Sequence, residues 1–281
     1  LKKSKSSNLL LSEDVMSTLS CLKKLGVKIK ISKNFCEITG LGLNGFKYRN
    51  NLILDAGNSG TLGRLILGLL VHSKKEVKIK GDKSLSKRDF KRVINPLKKF
   101  GAKFKSNYGK LPIKICGTNY SKPIKYFENK GSAQCKSSVM FAALNTSGET
   151  IIKAKKSRDH SELLFKYLKL PIKIIKRDKY DIIKVIGKSN IPALNYKIPS
   201  DISSAAFFIV LTALSKKSIL KIKNVNINPS RMGVFFILKL MRVNISITNK
   251  KDYKGEKIAD IVIKSTNNIK SINCPIKLNS S

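Results

Sequence analysis

The sequence predicts an α/β (α+β) fold assembled from repeated β-α-β-α-β-β units, and three observations carry that expectation. An apolar-basic segment recurs as LKKLGVKI (22–29), LKKFGAKF (97–104), YLKLPIKI (167–174) and LKLMRVNI (238–245), at intervals of roughly 75, 70 and 71 residues. A small-residue start followed by an apolar body recurs with the same period, as NSGTLGRLILGLL from Asn58, GSAQCKSSVMFAAL from Gly131 and DISSAAFFIVLTAL from Asp201. Each of these leads into an alternating run of β type: EVKIKG from Glu76, ETIIKAK from Glu149 and SILKIKN from Ser218.

Taken along the chain, the helices upstream of the repeated apolar-basic segments are amphipathic. Val15, Leu19, Leu22 and Leu25 share one face of the first, and Val93, Leu97 and Phe100 share one face of the second. Short polar residues mark the starts: Ser12 with Glu13 and Asp14, Ser157 with Asp159, and Pro229 with Ser230. The three small-residue helices are apolar throughout and are expected to be buried nearly all round. Strand pairs such as LPIKICG from Leu111 and YDIIKVIG from Tyr180 close each unit. Three units with a fourth begun place the boundary at the IPSD turn (198–201), dividing the chain into 1–197 and an incomplete second domain, 198–281.

A chain of 281 residues with 42% hydrophobic content can bury substantial cores, which excludes disordered and fibrous classes. Lys interrupts every apolar stretch, so no membrane span is expected. Five scattered cysteines with no C-x-x-C pair argue against a disulfide framework and a zinc site, and for a reducing cytoplasm. The net charge of +40 invites a nucleic-acid partner. The basic residues are nearly all Lys, however, and are dispersed along the chain, Trp is absent and aromatic content is 7%. That is the pattern of a Lys-rich coding bias over a globular sequence, not of a base-stacking surface.

Against that Lys background, Arg marks places where a planar bidentate fork is needed. Arg64, Arg88, Arg92, Arg158 and Arg231 fall in or beside the repeated helix starts. NSGT (58–61) and GSAQ (131–134) offer backbone N–H groups to an anion. His72 ends an apolar helix and reads as structural, and His160 in SRDH reads as orienting Arg158 and Asp159. Cys135 beside Lys136 reads as a small buried residue, so covalent catalysis is not indicated.

Seven separated segments, LSEDVMSTLSCLKKLGVKI, LDAGNSGTLGRLI, GDKSLSKRDFKRVINPLKKFGAKF, GSAQCKSSVMFAALNTSGET, SRDHSELL, IPSDISSAAFFIVLTAL and NINPSRMG, occur in an order that resembles the 5-enolpyruvylshikimate-3-phosphate synthase (3-phosphoshikimate 1-carboxyvinyltransferase) family. The resemblance implies a two-domain enolpyruvyl transferase fold. It implies transfer of the enolpyruvyl group of phosphoenolpyruvate to the 5-hydroxyl of shikimate 3-phosphate, with release of phosphate, on the route to chorismate and the aromatic amino acids. It implies no cofactor and no metal, and a cytoplasmic monomer when complete. By the same resemblance Ser132, Ala133, Gln134 and Arg158 contact shikimate 3-phosphate. Asn58, Gly60, Arg88 and Gln134 contact phosphoenolpyruvate, and Gly60 implies sensitivity to glyphosate. Asp89 departs from the pattern, standing where the family usually has Pro. UDP-N-acetylglucosamine enolpyruvyl transferases and RNA 3′-terminal phosphate cyclases share the unit but do not explain SLSKRDFKRVINPL and SAQCKSS together; a basic nucleic-acid-binding protein is the remaining alternative.

The family's early Lys-Ser…Arg loop is expected upstream of Leu1 and its proton-handling carboxylate beyond Ser281, so no catalytic residue is expected within this chain. The 281-residue chain is therefore expected to be inactive by itself. Phosphate release from phosphoenolpyruvate and shikimate 3-phosphate at the rate of an intact enzyme would contradict this.

Overall fold

The computed structural model describes residues 2–275. The first 116 residues form β1 (Lys3–Ser7), α1 (Glu13–Lys24), β2 (Lys28–Ser32), β3 (Phe35–Thr39), β4 (Leu52–Asp55), α2 (Gly60–Leu70), β5 (Val77–Lys80), α3 (Lys83–Ser86), α4 (Lys91–Lys99), β6 (Lys103–Asn107) and β7 (Lys110–Cys116). The next part forms β8 (Lys125–Glu128), α5 (Ala133–Leu144), β9 (Glu149–Lys155), α6 (His160–Tyr167), β10 (Ile172–Lys176), β11 (Tyr180–Ile186) and β12 (Asn195–Lys197). The last part forms α7 (Ile202–Leu214), β13 (Ile219–Asn226), a 3-10 turn (Pro229–Arg231), α8 (Gly233–Leu240), β14 (Ile245–Tyr253) and β15 (Glu256–Lys264).

The repeat is visible in the sheets. Strand orders β4-β5-β7-β6, β8-β9-β11-β10 and β12-β1-β3-β2 are three copies of one pattern. In each, the first pair is parallel and the other two pairs are antiparallel. The parallel edge strand of the first copy is β12, supplied from the far end of the sequence. The fourth sheet, β13-β15-β14, has three strands, and a lone parallel bridge from Ser200 to Val225 stands where the others have their edge strand. The units at 52–116 and 125–186 thus carry the whole β-α-β-α-β-β plan, and the first and last sheets carry parts of it.

Each apolar-basic segment ends a helix and opens a strand, as its sequence predicts. A residue with positive φ makes the break: Gly26 (+91°), Gly101 (+107°), Lys169 (+54°) and Arg242 (+64°). After Gly26 and Arg242 the following N–H reaches back to close the last turn, Val27 to Leu22 and Val243 to Leu238. At the first helix start Ser12 sits in the capping position, but its side chain makes no capping bond; Glu13 and Asp14 complement the dipole there instead. In the fourth copy the cap is Asn228, whose Oδ1 accepts from Ser230 N at 2.9 Å, rather than Ser230 itself.

Two of the small-residue helices, α2 and α5, are buried nearly all round as expected, and they pack directly on each other. Arg64 meets Gln134, and one turn later Ser138 Oγ donates to Arg64 O at 2.9 Å and Ser138 lies against Gly68. Because the contacts advance in the same direction along both helices, α2 and α5 run parallel and begin side by side. A Cβ on Gly68 would sit 2.1 Å from Ser138 O, so the approach requires glycine.

The third such helix, α7, corrects the expectation. Ile202, Ala205, Ile209 and Ala213 face the β13–β15 sheet and form the second core with Val225, Phe235, Leu238, Ile245, Ile261 and Ile263. Phe207 (79% exposed), Phe208, Leu211 and Leu214 face away from that sheet, and among the described residues nothing covers them.

Within the described residues, 2–156 with 168–197 form one compact unit, and 157–167 with 198–275 form the other. Assignment of 157–167 to the second unit corrects the simple division at 197. The physical cause is specific pairing of α6 and its approach with that unit. Asn228 Nδ2 donates to Asp159 Oδ1 at 2.8 Å, His160 Nδ1 bonds Glu256 Oε1 at 2.5 Å, and Gly255 in the β14–β15 turn passes under Leu163.

Replacing Gly68 by Ala is expected to cost about 1–3 kcal/mol through overpacking against Ser138. Urea unfolding followed by far-UV circular dichroism would show this as a lower midpoint with unchanged slope.

Candidate functional site

In the first unit the parallel starts of α2 and α5 set the geometry. Ser59 is buried and caps α2 by accepting from Leu62 N at 3.2 Å; Ser132 caps α5 by accepting from Cys135 N at 3.3 Å. Both sequence-predicted starts are therefore real helix N-termini, and each serine hydroxyl has a structural task. Gln134 ties the two together: Nε2 donates to Thr61 Oγ1 at 2.8 Å, and Oε1 accepts from Arg64 Nη1 at 3.0 Å. The neighbouring Ala133 opens the helix and brings no polar side chain, so only its backbone can serve a ligand.

Gly60 is where guanidinium groups meet. A Cβ at this position would lie 2.9 Å from Arg64 Nη1 and 3.0 Å from Arg88 Nη1, so any side chain would displace one of them. Arg64 also donates to Gly60 O at 3.0 Å and lies 4.9 Å from the centre of the Phe90 ring. Burial, followed by the positive charges of Arg88 and Arg92, lowers the proton affinity of Arg64. Three guanidiniums thus surround two helix starts, which is the electrostatics of an anion site.

Two acidic residues hold this arrangement. Glu128 is 2% exposed; its Oε1 accepts from Arg92 Nη2 at 3.0 Å and its Oε2 from Ser132 N at 2.8 Å, fixing the approach to α5. Asp82 caps α3 through Leu85 N and accepts from Asn58 Nδ2 at 2.6 Å. The Asn58 amide is thereby committed to the loop. Asp89, the departure from the family pattern, accepts from Lys91 N at 2.7 Å and starts α4 without displacing Arg88 from Gly60.

The second unit carries its own charged group. Arg231 Nη2 donates to Asp201 Oδ1 at 2.7 Å and to Ser203 Oγ at 2.5 Å. Burial lowers the Arg231 proton affinity, Asp201 opposes this, and the charge of Arg158 adds to it. Burial would raise the Asp201 carboxyl, but the Ser204 N–H, Arg231 and the Ser204 hydroxyl outweigh it and hold it below its ordinary value. Arg158 is followed by Asp159 and His160, both fixed to this unit: Asn228 Nδ2 donates to Asp159 and to Glu256 Oε2, and His160 bonds the other oxygen of Glu256. His160 therefore anchors the segment through Glu256. His72 is structural as expected, its Nε2 meeting Ser121 Oγ and Thr146 Oγ1.

Of the residues singled out from the sequence, Asn58, Gly60, Arg88, Ser132, Ala133 and Gln134 lie in the first unit around the two helix starts, and Arg158 lies in the second. Arg64 was among the five arginines singled out from the sequence but was assigned no substrate contact, and Glu128, Asn228 and Glu256 were missed. A signal existed for Glu128: the chain has 17 acidic residues against 57 basic ones, so a carboxylate four residues before a repeated helix start stands out.

Residues 2–277 match the family model described as EPSP synthase (3-phosphoshikimate 1-carboxyvinyltransferase). The chain is 44% identical over 275 residues to the 3-phosphoshikimate 1-carboxyvinyltransferase of Ruthia magnifica, covering 98% of this chain and 62% of that protein. It is 42% identical over 263 residues to the protein of the same name from Caldicellulosiruptor saccharolyticus, covering 92% and 60%. An EPSP synthase structure from Acinetobacter baumannii superposes with a TM-score of 0.86 at 35% identity, covering 98% of this chain and 62% of that one. The chain therefore spans about three fifths of the length of the relatives it matches. These matches favour neither the UDP-N-acetylglucosamine nor the RNA-cyclase alternative. Among the described residues no helix is long and apolar enough to cross a membrane.

Burial by itself would raise the Glu256 carboxyl, but the His160 bond and charge, with Asn228 and Asn226, hold it below the usual 4.5. Stabilisation from this pair is complete above that unfolded value and lost as pH falls through the lower folded one. Glu256→Gln is expected to flatten the pH dependence of amide exchange protection in 157–167 as pH falls below the ordinary carboxylate value of 4.5.

Proposed function

The chain belongs to the EPSP synthase family, and on that premise we propose that it serves transfer of the enolpyruvyl group from phosphoenolpyruvate to the 5-hydroxyl of shikimate 3-phosphate, with release of phosphate. The observation that carries this reading is the meeting of Arg64 and Arg88 over Gly60 at the paired starts of α2 and α5. Both substrates carry phosphate, and phosphoenolpyruvate carries a carboxylate as well. Guanidinium forks and unpaired helix N–H groups recognise such groups by charge-assisted hydrogen bonds.

In this proposal Gly60 leaves room for phosphoenolpyruvate against the α2 start, with Arg88 and Arg64 gripping its anionic groups. Gln134 lies between the starts and contacts both substrates; the α5 start at Ser132 and Ala133 takes shikimate 3-phosphate, with Arg158 as a further contact. The Asn58 role is indirect, since its amide holds Asp82 and so the shape of the loop. The described residues supply binding and preorganised positive charge for the adduct formed when the hydroxyl adds to phosphoenolpyruvate. A cytoplasmic monomer belongs to the same proposal, and free cysteines, three of them buried, suit a reducing compartment.

Calorimetric titration of the chain with phosphoenolpyruvate and with shikimate 3-phosphate tests this. Arg88→Ala is expected to weaken phosphoenolpyruvate binding by about 2 kcal/mol, roughly 30-fold. Gln134→Ala and Arg158→Ala are expected to weaken shikimate 3-phosphate binding, with circular dichroism verifying the fold. Unchanged affinity in all three variants would overturn the reading.

A further inference from the structure

The polypeptide that leaves α2 lines a second cleft in the first unit, at the opposite end of the helix from Gly60. At 1.5 Å rise per residue the two ends of this 11-residue helix are about 16 Å apart. The cleft has a volume of about 350 Å³ and is walled by Phe46 and Tyr48 on the β3–β4 loop, His72 to Lys75 after α2, Thr118 and Asn119 after β7, and Lys188 after β11. This volume is on the scale of a small-molecule pocket.

We propose that this cleft is a second anion-binding site, built to take the phosphate group of a small molecule. None of its lining residues is acidic, while Lys74, Lys75 and Lys188 all contribute. Two of these ammonium groups are held in place by neutral acceptors, which fix their position and leave their charge uncancelled. Lys188 Nζ donates to Asn145 Oδ1 at 2.9 Å, and Lys75 Nζ donates to Tyr48 O at 2.8 Å. Asn145 is in turn held by its amide to Asn44. The carboxylates of the adjoining strands are engaged elsewhere, Glu76 with Lys114 and Glu149 with Lys184. Lysine ammonium groups bind phosphate as point charges, and Phe46 and Tyr48 give the cleft an aromatic wall for the remainder of the molecule.

His72 provides a built-in reporter. Thr146 Oγ1 donates its hydrogen to Ala142 O at 3.0 Å, and the His72 Nε2 faces that hydroxyl at 3.1 Å and Ser121 Oγ at 3.0 Å, which fix the ring at the edge of the cleft. Burial, then the charge of Lys188, pushes His72 down to about 4. The groups around the ring are Lys188, Lys74, Lys75 and Tyr48, and Tyr48 is itself pushed up by burial, so it is neutral at pH 7. An anion among those ammonium groups offsets their field and raises the His72 value.

The experiment uses the full chain labelled in histidine, with Asn substituted at His160 to identify the His72 signals, and inorganic phosphate as the probe against sodium chloride at matched ionic strength. Phosphate is expected to move the His72 ring resonances saturably and to raise its pKa. Lys74→Gln and Lys188→Gln are each expected to weaken the apparent affinity at least about fivefold, and Arg88→Ala to leave it unchanged. Lys74 is exposed, so its variant keeps the fold even if Lys188→Gln loosens Asn145. A shift that chloride reproduces, or that both lysine variants leave intact, would overturn the proposal.

Discussion

Gly68 lets the backbone of α2 come so close to Ser138 that no side chain fits between them, and Ser138 answers by bonding Arg64 O. This contact sets two buried helices parallel with their first turns side by side. Parallel packing places like dipole ends together, which is unfavourable unless something negative sits at the N-terminal end. Glu128 meets part of that demand by accepting from Ser132 N. The rest is left as an attraction for anions.

Arginine placement sharpens the attraction. Arg64 is partly buried among the charges of Arg88 and Arg92, so its environment disfavours its own cation. Gln134 and Gly60 hold it by neutral oxygens, and Phe90 lies beneath it. A group held this way is preorganised, with little rearrangement left when an anion arrives. Arg231 in the second unit contrasts with it, because it already faces the Asp201 carboxylate and so forms a closed ion pair. The one arginine keeps its charge uncancelled by these contacts, and the other holds the start of α7.

The repeat, the helix starts and the strand alternation were legible because each is local. The break between helix and strand was readable from Gly26 and Gly101, and it persists at Lys169 and Arg242, where non-glycine residues adopt the left-handed conformation. What escaped reading depends on partners distant in sequence. The segment 157–167 follows the same pattern as its counterparts, yet Asn228 and Glu256 tie it to the second unit. The α7 sequence is apolar on every side, so its pattern could not tell which face a sheet would cover. Asn58 sits in a recognisable motif, but its commitment to Asp82 is a matter of two loops meeting.

The pairing of β1 with β12 has a consequence for how the first unit is made. Lys5 lies beside Asn195, 190 residues away, and Ser4 accepts from Leu194 N. A chain emerging from the ribosome cannot close that sheet until nearly two hundred residues have been synthesised, however early its middle hairpins form. Such closure carries a loop entropy that grows only slowly with length, but it raises the mean separation of contacts, which slows folding. The three-residue strand β12 therefore acts as a late latch: until it docks, β1 is an open edge with unpaired backbone groups, available to another copy of the same chain.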